Sequence, residues 1–378
     1  MEIHDLPTPL VLVDLEKLEN NILSAARMVK DNGKALWPMF KTTKSTFIAK
    51  LQRQAGATGF LCGSLAEAEA LIYKGITSTV MLAYPIADKN SLNRLIKLIE
   101  SDARVILRID NFELANLLNE CFKSKGLKVE YCIKVDVDYH RLGVKPNNVG
   151  RFAHKLQRFS NLKFIGIVTH QGNAYRANSP REVEEVAKNS AELMHTALLS
   201  LKEYGFEPEI VGAGSTPTFR FDVKEPIYTH LFPGNYVYYD RTQALVYGSA
   251  SINDCALTLL STIISIPEHS NGGLAVINAG SRYFDREIRG GLKGYGQLLE
   301  YPNAIVNKVS QEIALVKLNG EKVGVGDKVR VLINHACYTN NAADFLVMHR
   351  GGRVENIVSI DAREDFAIKE MLMDAFAK

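Results

Sequence analysis

A lysine closes the first apolar run that carries any chemistry. Leu36–Phe40 is short and strand-like, and Lys41 follows it within Trp37-Pro38-Met39-Phe40-Lys41-Thr42-Thr43-Lys44. At the end of a barrel strand such an amine points into the mouth. Partial burial there lowers its pKa toward what Schiff-base formation needs, although strand-end lysines are also commonly just solvated. The run Val129–Val135 leads into Asp136-Val137-Asp138-Tyr139-His140-Arg141. Arg141 there suits a bidentate clamp on a carboxylate or phosphate, or is a plain surface arginine. Phe164–Thr169 ends at His170, with Tyr175 in the same stretch. The imidazole can stack on an aromatic cofactor or move a proton, or simply hydrogen-bond at the strand end.

Two later runs end in glycine turns, Gly212-Ala213-Gly214-Ser215-Thr216-Pro217-Thr218 and Pro233-Gly234-Asn235. Exposed N–H groups beside small hydroxyls suit a phosphate, and a phosphate site after the seventh and eighth strands recurs in barrels. With Lys41, this predicts a phosphorylated aldehyde cofactor. Further on, Asn334-His335-Ala336-Cys337 sets an imidazole and a thiol two residues apart. In an extended strand they share a face and reach one ion, with zinc suited to nitrogen and sulfur. Most His-x-Cys pairs bind nothing.

The elements that must position these groups follow from periodicity. Eight short runs read as strands: Leu36–Phe40, Gly59–Cys62, Thr79–Ala83, Arg104–Ile109, Val129–Val135, Phe164–Thr169, Glu209–Ala213 and Leu231–Tyr236. Helical spacing fills the gaps at Ser64–Lys74, Lys89–Glu100, Phe112–Lys123, Val149–Arg158 and Pro180–Tyr204. Ser64 before Glu67, and Asp110 or Asn111 after Ile109, are helix starts. This alternation predicts a (β/α)8 barrel over residues 7–245. An open doubly wound sheet is second, since no Gly-x-Gly-x-x-Gly opens the first unit. From 246 to 378 the texture predicts a mainly antiparallel β domain, with strands Leu257–Ser265, Leu274–Asn278, Ala304–Val309, Ile313–Leu318 and Lys328–Asn334 and a closing helix Glu364–Phe376.

Of 378 residues, 45 are basic and 42 acidic, a balance that speaks against nucleic acid or an anionic membrane as partner. There is no apolar run long enough to span a bilayer, and Met1-Glu2-Ile3-His4-Asp5 does not open a secretory signal, so a cytoplasmic protein is expected. Five scattered cysteines argue against disulfides and a cysteine-only zinc site. Cys62, Cys121, Cys132 and Cys255 read as small buried hydrophobes.

Together these stretches resemble the D-threonine aldolase and D-serine dehydratase branch of the alanine-racemase-fold pyridoxal enzymes, from Thr8-Pro9-Leu10-Val11-Leu12-Val13-Asp14 to about Ala362. The resemblance assigns pyridoxal 5'-phosphate to Lys41 and ring stacking to His170. It gives the phosphate to Gly214-Ser215-Thr216-Pro217 and Pro233-Gly234-Asn235-Tyr236. It makes His335 and Cys337 a metal pair, zinc first and manganese or magnesium as alternatives. Asp254-Cys255-Ala256-Leu257 and Ala279-Gly280-Ser281 match second-domain signatures. It also implies a homodimer acting on a small amino acid. The departures are Trp37, Met39 and Thr43, where the family has an arginine and two histidines. Phe232 stands for an arginine before Pro-Gly, and Asn173 for a later histidine. These changes point to an altered substrate and leave the pyridine-nitrogen partner unassigned.

The resemblance implies a metal-assisted lyase on D-configured β-hydroxy amino acids. In a dehydratase, freed Lys41 removes the α-proton while the ion draws off the β-hydroxyl; in an aldolase the Cα–Cβ bond breaks instead. One alternative is an amino-acid racemase, with Tyr283 or Tyr295 as second base because Ser281 occupies the racemase tyrosine's place. Another is a non-catalytic pyridoxal-phosphate carrier.

Overall fold

The computed structural model describes residues 1–376, so the last two positions of the expected second domain lie outside the described residues. After an opening strand β1 (Leu10–Asp14), eight strands alternate with helices: β2 (Ala35–Leu36), β3 (Phe60–Cys62), β4 (Thr79–Leu82), β5 (Arg104–Ile109), β6 (Val129–Lys134), β7 (Leu162–Val168), β8 (Ile210–Ala213) and β9 (His230–Leu231). They form one parallel sheet in the order β2-β9-β8-β7-β6-β5-β4-β3. A bridge between Met39 and Leu61, with Leu61 N–H donating to the Pro38 carbonyl at 3.0 Å, returns β2 to β3. The expected barrel is therefore closed. Trp37, Leu61, Met81, Ile106, Cys132, Val168, Ile210 and Phe232 fill its interior, as a sheet covered on both faces requires.

Local chemistry sets the helices. Ser64 accepts from Glu67 N–H at 3.3 Å and so starts the helix Leu65–Tyr73. Asn111 accepts from Leu114 N–H at 2.8 Å to start Phe112–Lys123. Asp110 has another use, accepting from Gly143 N–H at 3.0 Å. Gly166 lets β7 approach β8, since a Cβ there would lie 2.0 Å from the Ile210 carbonyl oxygen.

Two barrel strands, β2 and β9, are shorter than expected by more than one residue, and proline explains both. Pro38 and Pro233 cannot donate to a ladder. The chain beyond them tightens into 3-10 turns, Phe40–Thr42 and Asn235–Val237.

The remaining strands are β10 (Leu257–Ser265), β11 (Leu274–Ile277), β12 (Gly296–Leu298), β13 (Ile305–Val309), β14 (Ala314–Lys317), β15 (Lys328–Ile333), β16 (Phe345–Arg350) and β17 (Arg353–Ser359). Their sheet runs β11-β14-β13-β12-β15-β10-β1-β16-β17, and a β10–β11 pairing closes six of them into a ring. Every pairing except β1–β16 is antiparallel. Three strands, Gly296–Leu298, Phe345–Arg350 and Arg353–Ser359, were not expected.

The boundaries differ from 7–245 and 246–378. One compact unit gathers Met1–Ser24, Arg176–Pro180 and Asn235–Asp361; the other holds Ala25–Tyr175, Arg181–Gly234 and the chain from Ala362 onward. The reason is hydrogen bonding: β1 finds its partners on β10 and β16, not in the barrel. None of the five cysteines forms a disulfide; Cys62, Cys132 and Cys255 are buried as expected, whereas Cys121 is only half-buried. Among the described residues no helix is long and apolar enough to cross a membrane.

Candidate functional site

Lys41 rides on the 3-10 turn Phe40–Thr42, which the buried Phe40 anchors against Phe60 with ring centroids 6.2 Å apart. The lysine is exposed, which corrects the expected partial burial: the turn lifts it clear of the apolar strand that precedes it. Its stem is nevertheless seated. A Cβ added to Gly63, at the end of β3, would come within 3.1 Å of Lys41 Cβ and Cγ and 3.2 Å of Cδ. Gly63 N–H donates to the buried Glu67 carboxylate at 2.6 Å. Burial pushes that carboxyl up to about 7, against the Gly63 hydrogen bond and the charges of Lys44 and Lys41.

His170, just past β7, has Nδ1 2.6 Å from the Gly214 carbonyl. A carbonyl only accepts, so Nδ1 carries the hydrogen and Nε2 offers a lone pair. Burial, then the charge of Lys134, pulls its pKa down to about 3 despite the Gly214 bond; Arg141 and Lys41 lower it further. The ring is neutral at ordinary pH and suits stacking or accepting. Tyr139 meets it edge-on at 5.6 Å, and Tyr175 lies 6.2 Å away. Arg141 is exposed, its guanidinium 4.8 Å from the Tyr139 ring centre and 5.8 Å from that of Tyr84.

Two buried cations were missed by sequence reasoning. Arg108 on β5 and Lys134 on β6 are 5% and 6% exposed, and neither Arg108 Nη2 nor Lys134 Nζ has a hydrogen-bond partner among the described residues. Arg108 Nε reaches only Met81 Sδ at 3.2 Å, and its guanidinium lies 5.2 Å from the Phe232 ring centre. Burial pulls Arg108 down to about 10. Burial, then Arg108 and Arg141, holds Lys134 well below the usual ammonium range. The available signal was alternation within Arg104-Val105-Ile106-Leu107-Arg108-Ile109: Ile106 faces the barrel interior, so Arg108 does too. Unpaired buried cations are costly, and an anion would relieve both.

The phosphate turns converge within the barrel unit. Gly234 N–H donates to Thr216 Oγ1 at 3.2 Å. A Cβ on Gly234 would sit 2.6 Å from Thr42 Oγ1 and 3.1 Å from Met39 Cβ, and one on Gly214 would sit 2.7 Å from Phe232 Cβ. Only glycine fits where these segments meet. With the orphaned Arg108 and Lys134, the cradle fits a phosphorylated ring. Asn235 and Tyr236 are buried and belong to the other unit, where Asn235 Nδ2 donates to Asp240 Oδ2 at 2.5 Å.

The expected metal pair, His335 and Cys337, does not lie on a strand. β15 ends at Ile333, His335 caps the helix Ala336–Ala342, and Cys337 is in its first turn. Asp240 accepts from Ala336 N–H at 3.0 Å and Thr339 Oγ1 donates to the Tyr283 carbonyl at 2.7 Å, turning the chain helical here. His335 Nδ1 lies 2.5 Å from Asp285 Oδ2. Desolvation opposes its charge, but hydrogen bonds to Asp285 and Cys337 outweigh that and push it up to about 10. Among the described residues no third His, Cys, Asp or Glu completes a metal cluster. The donor set is one imidazole and one thiol, and the carboxylate behind the imidazole is the support that metal-binding histidines use.

This barrel, with its strand-end lysine and paired glycine turns, defines the alanine racemase class. The chain belongs to the family "Alanine racemase, N-terminal domain", whose model matches residues 13–242, and a model described as "Putative serine dehydratase domain" matches residues 256–349. Among individual proteins, it is 27% identical to the D-threo-3-hydroxyaspartate dehydratase of Delftia sp. (strain HT23), over 88% of this chain and 92% of that one. It is 25% identical to the D-serine dehydratase of Dictyostelium discoideum, over 94% and 96%. The solved Delftia dehydratase superposes with a TM-score of 0.86 at 25% identity, covering 95% of this chain and 98% of that one. The D-threonine aldolase of Filomicrobium marinum, at 24% identity, has a TM-score of 0.85 and covers 95% and 96%. The resemblance to this branch, read from the motifs, is borne out.

Proposed function

We propose that the protein is a pyridoxal 5'-phosphate-dependent, metal-assisted lyase that acts on D-configured β-hydroxy amino acids, as a dehydratase or an aldolase. The observation that carries the reading is the seated but exposed Lys41 beside a mouth whose buried Arg108 and Lys134 have donors without an acceptor. Relatives named as dehydratases and aldolases of such substrates support it.

When bound, the cofactor supplies an electron sink for the bond broken at the substrate's α-carbon. Lys41 Nζ would hold the cofactor aldehyde and, as a free amine, would take the α-proton in the dehydratase version. Neutral His170 would stack on the ring, with Tyr175 beside the imidazole. Gly214, Ser215 and Thr216 would hold the phosphate with N–H and hydroxyl donors beside Gly234, whose N–H steadies Thr216, and Asn235 and Tyr236 are assigned to it by the resemblance. Arg141, exposed and propped on two tyrosine rings, receives the substrate carboxylate. His335 and Cys337 would hold a divalent ion, zinc by their donor types and manganese or magnesium as alternatives, which supplies Lewis-acid chemistry at an oxygen. A solved metal-free form of a dehydratase variant supports metal use in that relative. The protein is proposed to be a cytoplasmic homodimer.

The test is an absorbance spectrum of the purified protein and of Lys41→Ala, with and without D-serine, D-threonine and D-3-hydroxyaspartate, assaying pyruvate, oxaloacetate and aldehydes. A Schiff-base band lost in the variant supports the cofactor assignment, and the product separates dehydratase from aldolase. No band in protein supplied with pyridoxal phosphate overturns the reading.

A further inference from the structure

A half-enclosed cavity of about 290 Å³ lies beside the ends of β3 and β4. Cys62, Leu65 and Leu82, all buried, line it, and Tyr84, Pro85 and Ile86 continue its wall past β4. Its charged lining residues are Asp88 and Glu364; among the described residues that line it there is no lysine, arginine or histidine. The Glu364 carboxylate is already engaged by Arg94 at 2.6 Å and by Ala66 N–H at 2.9 Å, and Arg94 is held by Glu69 as well.

Two further contacts tie this cavity to the reacting groups. Gly63 lines it, and a methyl there would stand 3.1 Å from Lys41 Cβ and Cγ and 3.2 Å from Cδ. The absent side chain is what leaves the cavity within reach of the lysine. Tyr84, on the other side, is one of the two rings on which the Arg141 guanidinium rests, at 5.8 Å. A substrate whose amine comes to Lys41 Nζ and whose carboxylate meets Arg141 is thus fixed at two points, one beside each wall. Its remaining large substituent, the group on the β-carbon, is the part that can enter.

Size and charge choose that group. An enclosed apolar cavity of about 150 Å³ takes benzene, so this one has room for a phenyl ring or a branched alkyl group. A hydrogen or a methyl on the β-carbon would leave most of the space to water. A second carboxylate would face Asp88 and Glu364 with no cation among the lining residues to pair it. We propose that the cavity is the side-chain pocket of the substrate. The preferred substrates are then D-configured β-hydroxy amino acids whose β-carbon bears a bulky, uncharged apolar group, and dicarboxylates such as 3-hydroxyaspartate are disfavoured. The inference rests on the lyase reading, with Lys41 and Arg141 in the roles given above.

Two ligand sets, given to the holoenzyme, test this. D-Phenylalanine, D-alanine and D-aspartate lack the β-hydroxyl and report binding alone, by calorimetry. D-Phenylserine, D-serine and D-3-hydroxyaspartate report turnover; cleavage of phenylserine gives glycine and benzaldehyde, and its dehydration followed by hydrolysis gives phenylpyruvate and ammonia. In both sets the phenyl compound should lead the small one by at least about tenfold, the low end of what one methylene yields in an apolar pocket, and the dicarboxylate should come last. Ser91 lines the cavity from the helix Lys89–Glu100, and its N–H bond to the capping Asp88 does not involve its side chain. Ser91→Phe should fill the space and remove the phenyl lead. Ser91→Arg should raise both dicarboxylates by about tenfold or more, the scale of one hydrogen bond to a charged group. If Ser91→Phe does not fold, Ser91→Arg decides. A wild-type preference for serine or hydroxyaspartate, or a phenyl lead that survives Ser91→Phe, overturns the pocket and leaves the lyase reading standing. A phenyl lead in binding with no turnover of any hydroxy acid overturns the lyase reading, and the substrate class with it.

Discussion

Replacing Gly63 with alanine tests whether the lysine is positioned by what it leans on. The new methyl would stand 3.1 Å from Lys41 Cβ and Cγ and 3.2 Å from Cδ, whereas carbon atoms rest about 3.5–4.0 Å apart. The stem must therefore withdraw by several tenths of an ångström. Gly63 is not among the positive-φ glycines, and its N–H bond to Glu67 survives the change. Because the exposed stem can give way, global stability should fall by less than about 1 kcal/mol. Capture of the cofactor aldehyde should suffer far more. Displacing a reacting group by about 1 Å costs on the order of a hundredfold, so this smaller shift should cost about tenfold. The assay pairs denaturant unfolding with titration of the Schiff-base band, with Lys41→Ala as the zero. Wild-type capture by a folded Gly63→Ala protein would refute the idea that Gly63 seats the lysine.

Gly234→Ala places a carbon 2.6 Å from Thr42 Oγ1 and should weaken pyridoxal phosphate binding by about tenfold or more while changing pyridoxal binding little; equal losses for both ligands would remove Gly234 from the phosphate cradle. His170 titrates from the usual 6.5 when unfolded but from about 3 when folded, so between those values the unfolded chain binds more protons and stability falls as pH drops. His170→Gln, which does not titrate, should show a shallower acid-side loss in denaturant melts, by on the order of a few kcal/mol at most, and an unchanged profile would contradict the neutral ring. Asp285→Ala should weaken zinc binding by roughly 10–100-fold in chelator competition, because it removes the acceptor that orients His335; wild-type affinity would mean that Asp285 does not support the metal.

What was legible in the sequence was local. Ser64 and Asn111 announce their helices because a cap needs only the next few residues. The barrel strands stand out because parallel strands covered on both faces must be apolar throughout. The destination of β1 is not local: Leu10–Asp14 was expected within the barrel domain, and only its pairing with Leu260 and Val347 places it. His335 and Cys337 were expected on an extended strand and stand instead at a helix start, because Asp240 and Tyr283, which turn the chain there, are far away in sequence. Arg108 and Lys134 escaped notice because a charge inside a strand looks like an interruption until the sheet closes around it.

The exchange of chain ends between the two units bears on how this protein is made. The opening strand waits, as the ribosome delivers the chain, for partners more than two hundred positions later, since Leu12 joins Leu259's strand before it can join Val347. The barrel unit is likewise incomplete until its final helix arrives, where Glu364 receives Ala66 N–H at 2.9 Å and Arg94 at 2.6 Å. Neither unit is a contiguous cassette that can be cut out, expressed alone or traded by a single genetic crossover. Pairings this distant make folding slow and expose unfinished sheet edges meanwhile, so the two halves are inherited, synthesised and lost together.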